Sequence, residues 1–158
     1  MNFLGEHRCK LDDKGRLRLP SSLKLQINPA AQGKFVVNRG FEGCLELHPF
    51  DYWSKLRTAM ERKLNKFNSQ HREFYRRFMA GATELQLDSV DRINLPKHLM
   101  EYAGITNECY LTPGQGTIEI WAVDAYEQRL KNFNTDEYQH IADDVMGNIN
   151  LWEDDKTA

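Results

Sequence analysis

The sequence predicts an α+β protein that consists of two related units joined by a helical connector. The segment LDDKGRLRLP at residues 11–20 returns as LDSVDRINLP at residues 87–96, and the segments CLELHPFDYW and TIEIWAVDAY that follow the two copies also match. Between the copies, apolar side chains recur at helical spacing. A supersecondary unit that occurs twice in one chain predicts two similar halves that share one core.

The first copy is predicted to form a hairpin, with a tight turn followed by a short strand. Gly15 supplies the positive φ that such a turn often needs. The run RLRL at residues 16–19 alternates basic and apolar side chains, which predicts that both leucines lie in the core and both arginines at the surface. Pro20 cannot donate to a sheet, so it ends the strand and suits the start of a helix over SSLKLQI.

Two more strands are expected at FVV, residues 35–37, and CLEL, residues 44–47, on either side of the glycine-containing turn NRGFEG. The connector then begins with a helix that Asp51 is expected to cap, followed by a second helix that Ser69 caps and Gly81 ends. Helical spacing predicts that the apolar stripe of the first connector helix lies in the core; it comprises Trp53, Leu56, Met60, Leu64 and Phe67.

The second copy is expected to end in a helix over residues 125–133. Beyond residue 134 the chain is acidic, and we expect a poorly ordered tail with one marginal helix around residues 138–145. The predicted organisation is therefore a first unit at residues 5–53, the helical connector at 54–81, a second unit at 82–126, and a C-terminal helix with an acidic tail at 127–158.

The formal net charge of -2 conceals a division of charge along the chain. Residues 1–79 contain 16 Lys and Arg against 8 Asp and Glu, whereas residues 80–158 contain 5 against 15. A basic first half is typical of a protein that faces a polyanion, and the basic connector is a candidate phosphate contact or docking surface for the acidic tail. The alternative is that these charges only solvate one side of the fold.

The paired D-x-x-x-R motifs, Asp12 with Arg16 and Asp88 with Arg92, are each followed by apolar-x-apolar-Pro and a short helix. Together with the opening FLGEHRCKLDDKGR, they resemble the MraZ family of bacterial regulators, which are built from two AbrB-like units, over the chain up to about residues 121–130. The resemblance implies a swapped-hairpin β-barrel architecture and ring-shaped homo-oligomers. It also implies binding to repeated DNA boxes in the promoter ahead of the division and cell-wall gene cluster.

A DNA-binding interpretation assigns roles to the charged residues of the repeat. A two-stranded ribbon fits the major groove, where an arginine can hold guanine O6 and N7 in a bidentate contact, and lysines at the turn can hold phosphates. Asp12 is expected to cap the turn or to clamp Arg16 through a charge-assisted pair; the alternative is that this pair only staples the hairpin. The candidate DNA-contacting residues are Arg8, Lys10, Lys14, Arg16, Arg18 and Arg92, and the candidate positioning residues are Asp12, Gly15 and Asp88.

The second copy departs from the family pattern at its turn. Asp91 stands where glycine is usual, and Val90 matches Lys14 of the first copy. Residues 84–100 contain two bases against three acids, whereas residues 8–24 contain six bases against two acids. We therefore expect the second copy to be structural, so that Arg92 is a DNA candidate through the motif alone.

An enzyme is not expected. His7, Cys9, Asp12 and Asp13 lie close together without a third group to orient them, and no phosphate-binding glycine loop or nucleophile elbow occurs. Neither the five histidines nor the three cysteines show ligand spacing, so we expect no metal or cofactor, and the thiols are expected to be reduced and idle.

No apolar run approaches the length of a membrane span, and we expect a cytoplasmic, nucleoid-associated protein with no membrane partner and no small-molecule substrate. The expected function is that of a sequence-specific transcriptional regulator, a repressor of the division and cell-wall cluster and of its own promoter. Its partners are then double-stranded promoter DNA and further copies of itself. The alternative is an AbrB-like antitoxin or an oligomeric interaction module without a promoter role of its own.

Overall fold

The structure, a computed structural model, describes residues 2–154 of the chain. It divides into two units, Met1–Tyr126 and Glu127–Ala158. The first repeat copy contains β1 (His7–Lys10), β2 (Arg16–Arg18), α1 (Ser21–Lys24), a 3₁₀ turn at Pro29–Ala31, β3 (Lys34–Arg39) and β4 (Leu45–Pro49). The connector contains α2 (Phe50–Lys63) and α3 (Ser69–Met79). The second copy contains β5 (Thr83–Gln86), β6 (Arg92–Asn94), α4 (Lys97–Ala103), β7 (Glu108–Pro113) and β8 (Ile118–Ala122).

The two copies exchange strands. One antiparallel sheet has the order β1-β7-β8-β4-β3-β5, and β2 pairs with β6 in a separate two-stranded sheet. The first strand of each copy pairs with the third strand of the other, β1 with β7 and β5 with β3, while β4 pairs with β8 in the middle. The mixed α+β class is confirmed.

This exchange corrects one expectation about the first copy. We expected its two strands to pair with each other as a hairpin ribbon, but β1 and β2 belong to different sheets. A short-range pattern predicts that strands form and which side is apolar, whereas the partner of each strand is chosen by long-range packing.

The shared core contains equivalent residues from both copies. Leu17, Leu19 and Leu23 are buried, as predicted for the alternating run, and their counterparts Ile93, Leu95 and Leu99 are buried beside them. Full burial of such an aliphatic side chain contributes about 1.5 to 3 kcal/mol. The β2 and β6 strands are therefore anchored to the core by two equivalent rows of apolar side chains.

The connector helices differ from the sequence prediction in their caps and in their burial. Pro49 precedes α2 at the N-cap, and Asp51 lies in the first turn; at α3 the cap is Asn68, whose side chain accepts hydrogen bonds from two backbone N–H groups. Of the predicted core stripe, only Trp53 is buried. Because α2 ends at Lys63, Phe67 lies beyond the helix and is 82% exposed. Helical spacing identifies an apolar face but not whether another element covers it.

Helix α5 (Val123–Lys131) begins two residues before the predicted start. The helix expected around residues 138–145 is present as α6 (Thr135–Met146), which begins three residues earlier and ends one residue later, and the short α7 (Leu151–Asp154) follows it. The side chain of Asn134 caps α6 by accepting hydrogen bonds from two backbone N–H groups. The part of the predicted tail from residue 155 onward lies outside the described residues.

The three cysteines are free thiols; Cys44 and Cys109 are buried and Cys9 is half-buried. Burial raises the pKa of the Cys44 and Cys109 thiols to about 12. In the part of the chain that the structure describes, no helix is long and apolar enough to cross a membrane.

Candidate nucleic-acid interface

The β2–β6 sheet is a short ribbon to which each repeat copy contributes one strand. Its register places Leu17 opposite Ile93, and both of these side chains are buried. Side chains alternate across a strand, so their neighbours lie on the other, solvent-facing side. That outer face consists of two cross-strand pairs, Arg16 with Asn94 and Arg18 with Arg92.

The turn that precedes β2 holds Arg16 through one carboxylate. Asp12 Oδ1 accepts hydrogen bonds from the backbone N–H of Lys14 at 3.0 Å and of Arg16 at 2.9 Å, and its Oδ2 accepts from Arg16 Nε at 2.7 Å. These bonds favour the charged form, and the backbone N–H of Arg16 is the main reason that the pKa of Asp12 is lowered. Asp12 therefore performs both expected roles, because it caps the turn and clamps the arginine.

The same arrangement recurs in the second copy. Asp88 Oδ1 accepts from the backbone N–H of Val90 at 3.0 Å and of Arg92 at 2.9 Å, and Oδ2 accepts from Arg92 Nε at 2.8 Å. Both ion pairs use Nε, and in the described part of the chain no hydrogen bond is formed by a terminal guanidinium nitrogen of Arg16 or Arg92. Two equally oriented guanidinium groups are thus available on one face of the ribbon.

The two turns are also tied to each other. Leu95 N–H donates to the Gly15 carbonyl at 2.9 Å, and the equivalent bond runs from Leu19 N–H to the Asp91 carbonyl at 2.8 Å. Gly15 has φ 78° and Asp91 has φ 62°, so both turns use the left-handed conformation. Glycine adopts it freely and aspartate is among the few other residues that tolerate it, which is why the turn keeps its shape without the family's glycine.

Asp91, which stands where glycine is usual, forms an ion pair with the first copy. Its Oδ1 lies 2.7 Å from Lys24 Nζ, a residue of the first copy. Arg18 Nε donates to the neighbouring carbonyl of Val90 at 3.2 Å. Two basic residues of the first copy, Lys24 and Arg18, therefore bind the second turn. Their side chains are thus only partly available to a ligand.

The remaining candidates lie away from the ribbon face. Arg8 and Lys10 are on β1 in the six-stranded sheet, and Arg8 Nη2 pairs with Glu108 Oε2 at 2.8 Å. Its guanidinium carbon also lies 5.8 Å from the centre of the Tyr110 ring. The exposed Lys14 lies in the turn before β2. The structure therefore brings Arg16, Arg18 and Arg92 together, while Arg8 is already matched to a carboxylate.

Asn94 is a candidate that the sequence analysis missed. It is exposed on the ribbon face, directly across from Arg16. The signal was present in the repeat, because the alignment of RLRL with RINL places Asn94 at the position of Arg18. Asparagine can make a bidentate contact with adenine, as arginine does with guanine.

No group of three or more His, Cys, Asp or Glu side chains within residues 2–154 is arranged to hold a metal ion. The fold and the ribbon define the class of the protein: a two-copy repeat protein whose halves interlace and jointly present clamped arginines on one solvent-facing surface.

Comparison with known proteins gives the family. The family model described as "MraZ protein, putative antitoxin-like" matches residues 2–77 and again residues 78–148. The chain belongs to the MraZ family, and each half carries one copy of the family's unit. The match ends at residue 148, beyond the limit near residues 121–130 that the sequence motifs suggested.

Curated relatives cover almost the whole chain. The chain is 41% identical over 149 residues to the transcriptional regulator MraZ of Christiangramia forsetii, covering 94% of this chain and 95% of the relative. It is 37% identical over 149 residues to that of Flavobacterium psychrophilum, covering 94% of each, and 38% identical over 143 residues to that of Lactobacillus delbrueckii subsp. bulgaricus, covering 90% and 96%. These relatives are named as regulators, which is not an enzyme class.

Proposed function

We propose that the protein is a sequence-specific DNA-binding transcriptional regulator that reads base edges with the outer face of the β2–β6 ribbon. The observation that carries this proposal is the set of four side chains on that face, three arginines and Asn94. The major groove accommodates a two-stranded ribbon, arginine recognises guanine, and asparagine recognises adenine. Lys14 in the first turn is then a phosphate contact.

The two Asp–Arg clamps favour recognition of base edges over non-specific attraction to the DNA phosphates. A free arginine side chain loses considerable rotamer freedom when it binds, whereas Arg16 and Arg92 are already oriented by Asp12 and Asp88. A carboxylate so close to DNA repels phosphates, which is a cost that orientation of the guanidinium offsets. Asp12, Gly15 and Asp88 are thus positioning residues.

The finer proposal follows the family. The protein represses the division and cell-wall gene cluster and its own promoter, and it works in the cytoplasm at the nucleoid. It assembles as a ring-shaped homo-oligomer whose subunits each present one ribbon, and its interlaced copies form a swapped-hairpin barrel. Several weak ribbons acting together then give the affinity that one short ribbon lacks.

The test is binding to the DNA upstream of the protein's own gene, by footprinting and by anisotropy titration. Arg16→Ala, Arg92→Ala and Asn94→Ala should each cost about 1 to 3 kcal/mol per base contact and relax the sequence preference. Arg77→Ala is the matched control, because Arg77 is exposed on α3 and its substitution removes the same charge.

Affinity should also fall roughly a thousandfold or more between about 50 and 200 mM salt if several phosphates are contacted. An equal loss in Arg77→Ala would place the DNA on the connector and contradict the ribbon. If Arg16→Ala unfolds, as the melting temperature would show, the Asp12–Arg16 pair is only a staple.

The family description also names an antitoxin-like character, and an antitoxin or oligomeric adaptor is the second candidate. An adaptor without a promoter role leaves the upstream DNA unprotected in the footprint at all salt concentrations. The same experiment therefore separates the two functions.

A further inference from the structure

Helix α6 presents an apolar stripe to solvent. Tyr138, Ile141 and Val145 recur at helical spacing, and Met146 extends the row; their exposed fractions are 58%, 58%, 61% and 63%. The helix contains no lysine or arginine and has four acids. At 100° per residue, Glu137 and Asp144 flank the stripe along one edge, whereas Asp136 and Asp143 lie on the far side of the helix.

Such a helix needs a partner. A helix of 12 residues is marginal in water without tertiary packing, and most of its stability comes from burial of its apolar face. Four large apolar side chains aligned on one face are also more than a soluble surface usually shows in a single stripe. A surface that accepts this helix needs an apolar floor and positive charge at its edge.

One groove has these properties. It lies between the C-terminal end of α2 and α3, has a volume of about 630 Å³, and its apolar lining includes Leu64, Tyr75 and Met79. Its rim carries Lys66 and Arg72, which form no ion pair within the described part of the chain, whereas the nearby Arg76 already pairs with Glu73. Glu61 also lines the groove but already pairs with Arg57. The groove thus offers an apolar floor and two basic side chains that form no ion pair within the described residues.

We propose that α6 of one copy binds in the α2–α3 groove of a second copy, an inference that rests on the self-association proposed above and assigns the surfaces responsible for it. The stripe around Ile141 and Val145 packs on the groove floor, and the flanking carboxylates lie near Lys66 and Arg72. This is the helix-in-groove mode of recognition, in which apolar anchors supply affinity and charges fix orientation.

The contact joins two different surfaces, so it is heterologous. Each copy that donates its helix still has a free groove, and a chain of such contacts closes into a ring when the rotation between subunits permits. The acidic C-terminal region of one subunit then neutralises the basic connector of its neighbour.

The test uses full-length variants in sedimentation velocity at micromolar concentration. Ile141→Asp impairs the helix, and Arg72→Glu impairs the groove at an exposed position. Because Arg72 Nη1 also donates to the Lys66 carbonyl at 3.0 Å, the melting temperature of this variant is recorded to show that it is folded. Each should weaken self-association roughly tenfold to a hundredfold. His140→Asp is the control, because it adds the same charge to the opposite side of α6 and should leave assembly unchanged.

Mixing the two impaired variants gives the decisive readout. The Ile141→Asp chain keeps its groove and the Arg72→Glu chain keeps its helix, so an equimolar mixture should form dimers although neither variant does so alone. A mixture that stays monomeric contradicts docking between copies and favours a contact within one chain. Assembly of both single variants at wild-type strength shows that the oligomer uses other surfaces, while a monomeric wild type refutes self-association itself.

Discussion

The middle of the large sheet contains Glu46, a carboxylic acid whose ionisation changes the free energy of unfolding with pH. Glu46 on β4 lies opposite Glu119 on β8. Glu119 Oε1 accepts hydrogen bonds from Thr112 and from the Trp121 indole, each at 3.3 Å. Among residues 2–154, Glu46 accepts no comparable hydrogen bond; burial, and then the charge of Glu119, raise its pKa to about 7.

His48 is buried beside this pair and is affected in the opposite direction. Its Nε2 lies 2.8 Å from Asn38 Oδ1 and 3.5 Å from Glu46 Oε2, and burial lowers the pKa of His48 to about 4. Between about pH 4 and pH 7 both groups are therefore neutral, so their approach in that range is not an ion pair. Both neutral forms avoid the cost of a buried charge.

The sign of each contribution follows from linkage. Because the folded state holds the Glu46 proton more tightly than the unfolded chain, the stability from Glu46 is present below about pH 4.5 and is lost as the pH rises to about 7. For His48 the stability is present above about pH 6.5 and is lost as the pH falls towards 4. At about 1.4 kcal/mol per pKa unit, the contribution of each residue to the free energy of unfolding is at most about 3 kcal/mol. Between about pH 4.5 and pH 6.5 the two pH dependences have opposite signs and nearly cancel.

We expect Glu46→Gln to remove the first slope and keep the neutral amide in its place. The variant should match the wild type near pH 4.5 and exceed its free energy of unfolding by about 1 to 3 kcal/mol at pH 8, measured by urea denaturation at both values. Glu84→Gln, at an exposed position on β5, is the control. An equal difference between Glu46→Gln and wild type at the two pH values would refute the reasoning.

The remaining predictions concern the turns beside the ribbon. Asp91→Gly should raise DNA affinity by about 1 kcal/mol in anisotropy titrations, since it removes a negative charge and releases Lys24. The melting temperature should barely change, because glycine relieves the backbone strain of a left-handed aspartate and this offsets the loss of the exposed ion pair. Gly15→Ala should lower the free energy of unfolding by about 1 to 2 kcal/mol, because φ is 78° and the added Cβ lies 3.3 Å from a backbone carbonyl oxygen. Asp12→Ala should weaken DNA binding about tenfold by releasing Arg16, and unchanged affinity in a folded variant would remove its positioning role.

The local features of the repeat could be predicted from the sequence. The alternation at residues 16–19 identified which side chains are buried, and the D-x-x-x-R spacing identified the clamp, because both depend on the geometry of a few neighbouring residues. The pairing of β2 with β6 could not be predicted in this way. Its partners are more than 70 residues apart, and they are selected by the fit of the whole core.

The error in the connector has a physical origin that helix α6 illustrates as well. The spacing of Leu56, Met60 and Leu64 correctly marks one face of a helix, and the spacing of Tyr138 and Ile141 does the same in α6. Amphipathic spacing fixes where an apolar face lies, but its burial depends on what else is present to cover it. In the tail, the spacing of apolar side chains marked the helix despite the acidic composition, but the Asn134 cap that starts it at Thr135 was not predicted.

The exchange of strands explains how the second copy can diverge while its arginine stays in place. The Asp88–Arg92 clamp is closed within five consecutive residues, so it does not depend on the turn residues that differ from the first copy. The turn itself is held from outside, by the bond from Leu19 N–H to the Asp91 carbonyl and by Lys24. A lone copy with aspartate at that position would leave a negative charge beside its arginine, but here the first copy supplies the neutralising base. The ribbon therefore keeps its shape although the second turn has neither the glycine nor the lysine of the first, because Lys24 of the first copy neutralises Asp91 of the second.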